Sequence, residues 1–447
     1  MSMKSAAIVS LFCATGLACG MALASNPNPN PEWDDQWPTL ESEFLSGHVQ
    51  LTSEAKYIKA GESYFSPDGR MVIFQAIEIP AEGEEAGAHY AMYVASVQYD
   101  DDRNIIGLGQ AGMVSAGNGS ANTCGWFHPT DPMRILFGTT ITAPSNKDVV
   151  GFQRKTSKYS WKFPTEMDIV AGDLSMTYVL SDEATARATK LVEEDPTATP
   201  ELSMNDIISV PTIKNASPVW EREGYDAEGS WSPDGRYILY TQLEPGSNNG
   251  DIWIYDSTDG SHLALITADG YDGGPFFSPD GQSICYRSDR RGDNMLQIFV
   301  AALQFDESGK VNGAIETQLT DNEHVNWCPF YTPDGKYLLY ATSEQSHGNY
   351  EIYAIDSSGE YSMEETPRMR VSQARGFDGL PAFTSDGEWM IWTAQRGATR
   401  DGEERPSSQL WAAKVNLDAI DKAYQAQRKA ILDKNEADAF ENYMPED

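Results

Sequence analysis

The sequence predicts an all-β protein, a six-bladed β-propeller of four-stranded blades closed by an N-terminal strand and followed by a C-terminal α-helix. Three observations support this fold. A Pro-Asp-Gly turn recurs between apolar runs, further strand-like segments follow each turn, and one such segment precedes the first turn. Because each unit alone could bury only part of its apolar surface, closing the units into a ring supplies their common core.

The recurring turn is clearest in "GYDAEGSWSPDGRYILY", which begins at residue 224. Pro233 favours the φ angle of the first central position, and Gly235 tolerates the positive φ that closes the turn. Related stretches begin at 61, 270, 324 and 376, and a degenerate copy, "WFHPTDPMRILF", centres on Thr130. The aspartates expected to shape these turns are Asp68, Asp234, Asp280, Asp334 and Asp386. Six hairpins predict six blades.

Third strands are expected after each hairpin, from "HYAMYVASV" at 89 to "SQLWAAKV" at 408. Only five outer-strand segments follow them between hairpins: "GMVSAG" at 112, "TKLVEE" at 189, "LALIT" at 263, "TQLT" at 317 and "MRVS" at 369. The sixth outer strand is "HVQLT" at 48, before the first hairpin. Pairing of this segment with the last blade would close the ring.

Four regions follow from this reading. Residues 1–24 combine a short basic start, an apolar run and an Ala-Leu-Ala cleavage site, the pattern of a secretory signal peptide. Residues 25–46 form a Pro- and Asn-rich linker, and 47–415 form the propeller, with insertions at about 143–164 and 193–223. An amphipathic helix and tail occupy 416–447, with the helix expected from Asn416 to about Lys434.

The signal peptide predicts a periplasmic or secreted protein. Lipid anchoring through Cys19 is disfavoured because Gly16 occupies a position where an aliphatic residue is expected. No later segment is apolar enough to span a membrane, and a monomeric propeller is expected. The formal charge of −35 argues against nucleic acid as a partner.

Cys124, Cys285 and Cys328 are too few for a disulfide scaffold, and Cys124 and Cys328 should face each other across the tunnel without a bridge.

The stretch "FSPDGQSICYRSDRRGDNMLQIFVAAL" resembles TolB-type propellers, whose PD40 (WD40-like) repeats combine a Ser-Pro-Asp-Gly hairpin, a Ser-Asp-Arg turn and an "IFV" strand. Here these elements are Ser278 to Gly281, Ser288 to Arg290 and Ile298 to Val300. The likeness extends from about Val49 to Val415. The chain lacks room before the first strand for the α/β domain of TolB itself, so it resembles the stand-alone propellers of exported bacterial proteins. The resemblance implies the fold and binding to an envelope protein or envelope component, but no active site.

One polar constellation recurs eight residues before the central turn position, where the innermost strands begin. It consists of Asn122, Asp226, Asp272, Asn326 and Asp378. These residues should ring one mouth of the central tunnel. Their side chains could cap local backbone N–H groups, as Asp and Asn commonly do. Alternatively, Asp226, Asp272 and Asp378 could bind Ca²⁺ or Mg²⁺, or a cationic group of a partner.

The common hydrolase, metalloprotease, redox and phosphate-binding motifs are absent. "GLGQAG" at 107 joins the third and fourth strands of one blade, whereas a dinucleotide site requires a strand before it and a helix after it. No cofactor is predicted apart from the metal alternative. The sequence therefore favours a non-catalytic, exported propeller that acts as a protein-interaction scaffold in the cell envelope. The alternative is a metal-dependent enzyme or a carbohydrate-binding propeller that uses the acidic tunnel mouth.

Overall fold

Six antiparallel sheets, each forming one blade, surround a central tunnel. They are seen in a computed structural model, which describes residues 36–144, 151–152, 161–162, 164, 166–203 and 206–443. The predicted six-bladed propeller is therefore confirmed. The expected signal peptide, linker residues 25–35 and most of the insertion at 143–164 lie outside the described residues.

The first half of the ring follows a short helix, α1 (Trp37–Leu40), and strand β1 (Leu45–Gln50). Blade 1 contains β2 (Tyr57–Phe65), β3 (Met71–Glu78), β4 (Ala91–Tyr99) and an outer strand in two pieces, β5 (Ile105–Leu108) and β6 (Gly112–Met113). Blade 2 contains β7 (Asn122–His128), β8 (Asp131–Thr139), β11 (Asp168–Leu180) and β12 (Ile207–Pro218). Between β8 and β11, β9 (Gly151–Phe152) pairs with β10 (Trp161–Lys162). Blade 3 contains β13 (Tyr225–Trp231), β14 (Tyr237–Leu243), β15 (Gly250–Asp256) and β16 (Ser261–Ile266).

The second half ends where the chain returns to its beginning. Blade 4 contains β17 (Asp272–Phe277), β18 (Ser283–Ser288), β19 (Gln297–Phe305) and β20 (Val311–Gln318). Blade 5 contains β21 (Asn326–Tyr331), β22 (Tyr337–Ser346), β23 (Asn349–Asp356) and β24 (Met369–Arg370). Blade 6 contains β25 (Asp378–Phe383), β26 (Trp389–Ala394), β27 (Gln409–Val415) and β1.

The ring closes through β1, which pairs antiparallel with β27 as the outer strand of blade 6. Leu45 lies opposite Val415 and Gln50 lies opposite Trp411. The predicted closure by the N-terminal strand is therefore confirmed. Buried side chains fill the spaces between blades: one cluster joins Phe74 of blade 1, Phe127 of blade 2 and Ile391 of blade 6.

The hairpin turns follow from their sequence. Gly235 has a φ of 76°, a left-handed conformation that glycine adopts without the cost of a Cβ. In the same turn the Asp234 carboxylate accepts from the Ser232 hydroxyl at 2.5 Å and from the Arg236 N–H at 3.0 Å. Asp68, Asp280, Asp334 and Asp386 each accept the same two kinds of hydrogen bond.

One outer strand lies elsewhere than expected. "TKLVEE" at 189 falls in helix α2 (Asp182–Glu194), and the outer strand of blade 2 is β12. The helix has a physical cause, since Ser181 caps it by accepting from the Ala184 N–H at 3.1 Å and Ala, Lys, Leu and Glu favour helices. The expected insertion at 193–223 therefore includes a strand of the blade itself.

The C-terminal helix α3 (Leu417–Tyr443) is longer than the expected segment. Ile420 and Tyr424 of its first turns are fully buried in one cluster with side chains of blades 5 and 6. The Tyr337 hydroxyl of blade 5 donates to Asp421 at 2.5 Å. Among the helices that the structure describes, none is long and apolar enough to cross a membrane.

Candidate functional site

The five predicted tunnel-mouth residues all lie at or next to the start of an innermost strand, and all are buried. Their side chains lie within the blades: Asn122, Asp226, Asp272, Asn326 and Asp378 are 0 to 4% exposed. Each residue binds groups near its own strand. The recorded hydrogen bonds do not join one of the five to another.

Each of the three aspartates faces a guanidinium. Asp226 pairs with Arg222 at 2.8 Å, and Asp272 pairs with Arg290 at 3.0 Å. Asp378 pairs with Arg396 in the same way. Trp220, which the sequence places outside the blades, donates its indole N–H to Asp226 at 2.7 Å.

The two asparagines have neutral partners instead. The Asn122 amide donates to the carbonyl oxygens of Tyr90 and Ser120, both at 2.9 Å. The Asn326 amide donates to Asn322 at 3.0 Å and to Gln297 at 3.1 Å. A buried carboxylate needs a compensating charge and a buried amide does not, which accounts for arginine accompanying aspartate alone.

These pairs bear on the metal alternative. Burial raises the pKa of Asp272 and of Asp378, and the neighbouring arginines oppose that rise. In the described part of the chain, no three His, Cys, Asp or Glu side chains come together in a group that could hold a metal ion. Binding of Ca²⁺ or Mg²⁺ by this ring stays a prediction, and such an ion would have to compete with the arginines.

A second ring lies two residues further along the innermost strands. Each of these strands contains a β-bulge at which the register shifts. In every bulge one residue has a positive φ, between 42° and 59°. These six bulge residues are Glu62, Cys124, Glu228, Gly274, Cys328 and Leu380. Bulges re-aim side chains, and positive φ in residues with a side chain is strained and concentrates at functional sites.

The bulge residues of five blades approach one another in the tunnel. Thr123 of blade 2 donates to Glu62 of blade 1 at 3.2 Å, and the Thr123 hydroxyl also lies 3.2 Å from the Cys124 sulfur. The charges of Glu228 in blade 3 and Arg287 in blade 4 both act on Glu62. Cys328 of blade 5 lies within the field of Arg287 and Glu62. We call this polar layer the tunnel chamber.

Glu228 is fully engaged within the chamber. It accepts from Thr241 and Tyr271 hydroxyls, both at 2.7 Å, and from the Gly274 N–H at 2.6 Å. Arg287 adds an ion pair at 2.9 Å.

The guanidinium of Arg287 also explains the glycine in the blade 4 bulge. A Cβ on Gly274 would lie 1.5 Å from Nη1 of Arg287. Any other residue at position 274 would therefore displace the arginine that balances Glu228.

An aromatic layer lies below the chamber, two residues further along the innermost strands. Ring centroids of Tyr64 and Trp126 are 4.6 Å apart, those of Phe276 and Phe330 are 5.1 Å apart, and those of Tyr64 and Phe330 are 6.0 Å apart. These rings come from blades 1, 2, 4 and 5, so they meet across the tunnel. On the side of the hairpin turns, the chamber is therefore floored by aromatic rings.

The chamber favours the protonated forms of Glu62 and of its two thiols. Burial raises the pKa of Glu62, the hydrogen bond from Cys124 opposes this rise, and the charge of Glu228 adds to it. Burial raises the pKa of the Cys328 thiol to about 12, and that of Cys124 well above its ordinary value. Both thiols are free and unbridged, and neither has the lowered pKa that a thiolate nucleophile needs.

The bulge ring was not recognised from the sequence, although a signal existed. Glu62 and Glu228 occupy the same repeat position as Cys124 and Cys328, two residues after the tunnel-mouth position. Two carboxylates and two thiols therefore recur at one repeat position, and this recurrence is the sequence signal for the tunnel chamber. These side chains point into the tunnel because of the β-bulges. Counting alternate residues along a regular strand does not predict a bulge.

No family model matches the chain, and no curated protein sequence matches it. Among solved structures, TolB from Acinetobacter baumannii is 16% identical with a TM-score of 0.44, and the match covers 78% of this chain and 65% of that one. A putative TolB from Agrobacterium tumefaciens is 12% identical (TM-score 0.40; 80% and 90% covered). An oligogalacturonate lyase in complex with manganese is 13% identical (TM-score 0.39; 83% and 93% covered). Likeness at this level concerns the fold alone.

Proposed function

We propose that this chain is an exported, non-catalytic propeller that binds a protein of the cell envelope through an arm on blade 2. The supporting observation is an extension of β11 and β12 beyond the blade, with apolar side chains exposed along one face. The N-terminal signal pattern supports export, and the propeller supplies a rigid frame for the arm.

The arm begins where blade 2 ends. β11 pairs with β8 only from Asp168 to Asp173, whereas its pairing with β12 continues to Leu180, opposite Ile207. Among the described residues, 174–180 and 207–213 therefore form a two-stranded ribbon that pairs with no third strand, although Gly112 of β6 packs against Pro211. Helix α2 follows the ribbon directly.

One face of this ribbon exposes apolar side chains, interrupted by Ser209 opposite Tyr178. Met176, Tyr178 and Leu180 alternate along β11, so their side chains share a face, and Ile207 lies directly opposite Leu180. Tyr178 is 77% exposed, Met176 43% and Ile207 40%. We call these four residues the arm face. Tyrosine and methionine are enriched in protein interfaces, and contiguous apolar exposure marks binding sites.

The charge of the chain indicates the kind of partner. A formal charge of −35 repels anionic surfaces and favours a partner with a basic surface. Helix α2, which follows β11, adds the exposed acidic residues Glu183, Glu193 and Glu194 against the exposed basic residues Arg187 and Lys190. The predicted occupant of the arm face is therefore an envelope protein that presents apolar side chains within a basic surround.

Affinity capture from envelope extract tests this proposal, with the mature chain as bait and mass spectrometry of the retained proteins. The arm is tested by the double substitution Tyr178→Ser with Ile207→Ser. A deletion of the insertion at 193–223 is unsuitable, because it would also remove β12, the outer strand of blade 2. The matched control is Phe305→Ser with Ile315→Ser, which changes an exposed aromatic residue and an exposed isoleucine in the outer strands of blade 4.

The expected result is one basic envelope protein retained by wild type and control but lost with the arm variant, and the purified pair should then bind with the same pattern. Loss with both variants, or with neither, would contradict the role of the arm. A chain that retains no protein but retains or cleaves glycans in the presence of a divalent metal would support the alternative function.

A further inference from the structure

The tunnel chamber contains one carboxylate, Glu62, whose hydrogen bonds come only from neutral groups, although the charge of Arg287 also acts on it. The charge of Glu228 is balanced by Arg287. Glu62 accepts hydrogen bonds from Thr123 at 3.2 Å and from the Tyr64 hydroxyl at 3.4 Å, both neutral donors. No ion pair to Glu62 is found in the part of the chain that the structure describes. Glu62 keeps partial solvent exposure.

A second, independent acceptor lies at a repeat position that faces the tunnel. Gln75 pairs with Gly61 in the same register in which Thr241, Arg287 and Thr393 pair with their innermost strands. Thr241 and Arg287 reach Glu228 from this position, and Thr393 accepts from the Glu62 N–H at 3.0 Å. By repeat equivalence, the Gln75 side chain points towards the chamber between blades 1 and 2.

The Gln75 amide lacks a donor there. The residue is only 7% exposed, and among the described residues its side-chain oxygen has no hydrogen-bond partner. A buried carbonyl oxygen without a donor is costly, so this oxygen marks a place where a ligand N–H would be stabilised. Both Glu62 and Gln75 therefore present acceptors.

The aromatic floor suits the same ligand. Tyr64 and Trp126 lie side by side beneath Glu62, with ring centroids 4.6 Å apart, and Trp126 is only half-buried. Aromatic faces attract organic cations and pack against their alkyl groups. Metal ions are a poorer match, since no three metal-ligating side chains come together among the described residues. Anions are disfavoured because Arg287 already pairs with Glu228.

We propose that the tunnel chamber binds a small organic cation, a primary ammonium or alkylguanidinium group. Its N–H groups donate to the Glu62 carboxylate and the Gln75 carbonyl, and its alkyl part lies on the half-buried ring of Trp126. This site is separate from the arm face. A free amine and the side chain of a partner's lysine offer the same chemistry.

Titration calorimetry in cacodylate buffer tests the proposal, because Tris is itself a primary amine and phosphate would precipitate the Ca²⁺ used in the competition experiment. The probes are n-butylammonium, n-propylguanidinium and N-acetyl-lysine methylamide, with n-butanol as the neutral control. Wild type should bind the cationic probes and not n-butanol. Tighter binding of butylammonium would identify the natural ligand as a free amine. Tighter binding of the lysine derivative would identify it as a lysine side chain of a partner.

The variants are Glu62→Gln and Gln75→Leu, with Glu84→Gln in an exposed loop as the matched control. Glu62→Gln should weaken binding by about tenfold or more, the usual consequence of losing a charge-assisted hydrogen bond. Gln75→Leu should weaken it less, and Glu84→Gln should leave it unchanged. Melting curves of each variant confirm that it is folded.

Three results would overturn the proposal: no binding of any cationic probe to folded wild type, equal binding by Glu62→Gln, or displacement of bound butylammonium by Ca²⁺ or Mg²⁺ at lower concentrations than by a second amine. The arm variant Tyr178→Ser with Ile207→Ser should bind amines as wild type does, so failure of one proposal is distinguishable from failure of the other.

Discussion

Glu41 and Arg396 form a buried ion pair, 2.7 Å apart, that joins the N-terminal segment to blade 6. Both side chains are fully buried. The guanidinium also pairs with Asp378 and lies over the Trp37 ring, 4.4 Å from its centroid. The ring of blades is therefore closed by charge and stacking as well as by the pairing of β1 with β27.

Replacing Glu41 with glutamine should destabilise this closure. Removing one partner of a buried ion pair costs about 3 kcal/mol, because the remaining charge is left less compensated. Urea unfolding monitored by tryptophan fluorescence measures the loss. Glu43→Gln, an exposed neighbour, should stay within about 0.5 kcal/mol of wild type. Equal effects of the two substitutions would show that the pair does not stabilise the seam.

The same pair predicts how the seam responds to acid. Burial by itself raises the pKa of Glu41, but the charge of Arg396 and the hydrogen bond to His48 outweigh it and hold the pKa below its ordinary value. A carboxyl whose pKa is lowered by folding contributes stability above its unfolded pKa of about 4.3, and this contribution is lost as the pH falls through the folded value. Wild type and Glu41→Gln should therefore converge in stability in acid. A difference that persists undiminished there would contradict this prediction.

Gly274→Ala should destabilise the chain by more than positive φ alone explains. A side chain at a left-handed position costs about 1 kcal/mol, and at Gly274 the new Cβ would also displace Arg287 from Glu228. Gly246 provides the control, because its φ is 76° and nothing lies within 4 Å of its Cβ position. We expect Gly274→Ala to cost at least about 2 kcal/mol more than Gly246→Ala in the same unfolding experiment. Similar costs would mean that Arg287 moves aside freely.

Arg290 and Arg291 are adjacent in sequence, but only Arg290 pairs with a tunnel-mouth aspartate, so the stability costs of replacing the two can be compared. Arg290→Gln leaves the buried Asp272 without its guanidinium and should cost about 3 kcal/mol. Arg291→Gln removes pairs with Asp293 and Asp321, which are 39% and 54% exposed, and should cost less than about 1 kcal/mol.

The same variant tests the metal alternative. If Ca²⁺ raises the melting temperature of Arg290→Gln but not that of Arg290→Gln with Asp272→Asn, the ring accepts a cation once the guanidinium is gone. No shift in either variant would count against metal binding at this ring.

The sequence allowed the blade number, the turns and the closing strand to be predicted because each depends on local chemistry repeated along the chain. A Pro-Asp-Gly motif such as Pro233 to Gly235 forms a turn wherever it recurs. Only five outer strands lie between the hairpins, so the sixth had to come from the N-terminal segment. Helix α2 was missed because a short segment with mixed apolar and charged residues suits either an outer strand or a capped helix. The tunnel chamber was missed because it depends on bulges that turn Glu62 and Glu228 inward, and on contacts between blades far apart in sequence.

Glu62→Gln should stabilise the amine-free protein at neutral pH. The groups that face Glu62 are Cys124, Tyr64, Glu228 and Arg287, together with the Thr123 hydroxyl. Their combined effect with burial raises its pKa, so the folded state favours the protonated carboxyl. The stability linked to this proton is fully present below the unfolded pKa of about 4.3 and is lost as the pH rises through the raised folded value.

Thermal unfolding in amine-free buffers from acid to neutral pH measures this effect. Wild type and Glu62→Gln should have similar melting temperatures in acid, where Glu62 is protonated. The variant should become more stable than wild type by on the order of 1 kcal/mol as the pH rises, because glutamine carries no buried charge. Adding butylammonium at neutral pH should reverse this order, since only wild type gains a bound cation. A Glu62→Gln variant that is less stable than wild type at neutral pH without amine would show that the ionised carboxylate stabilises the tunnel chamber by itself.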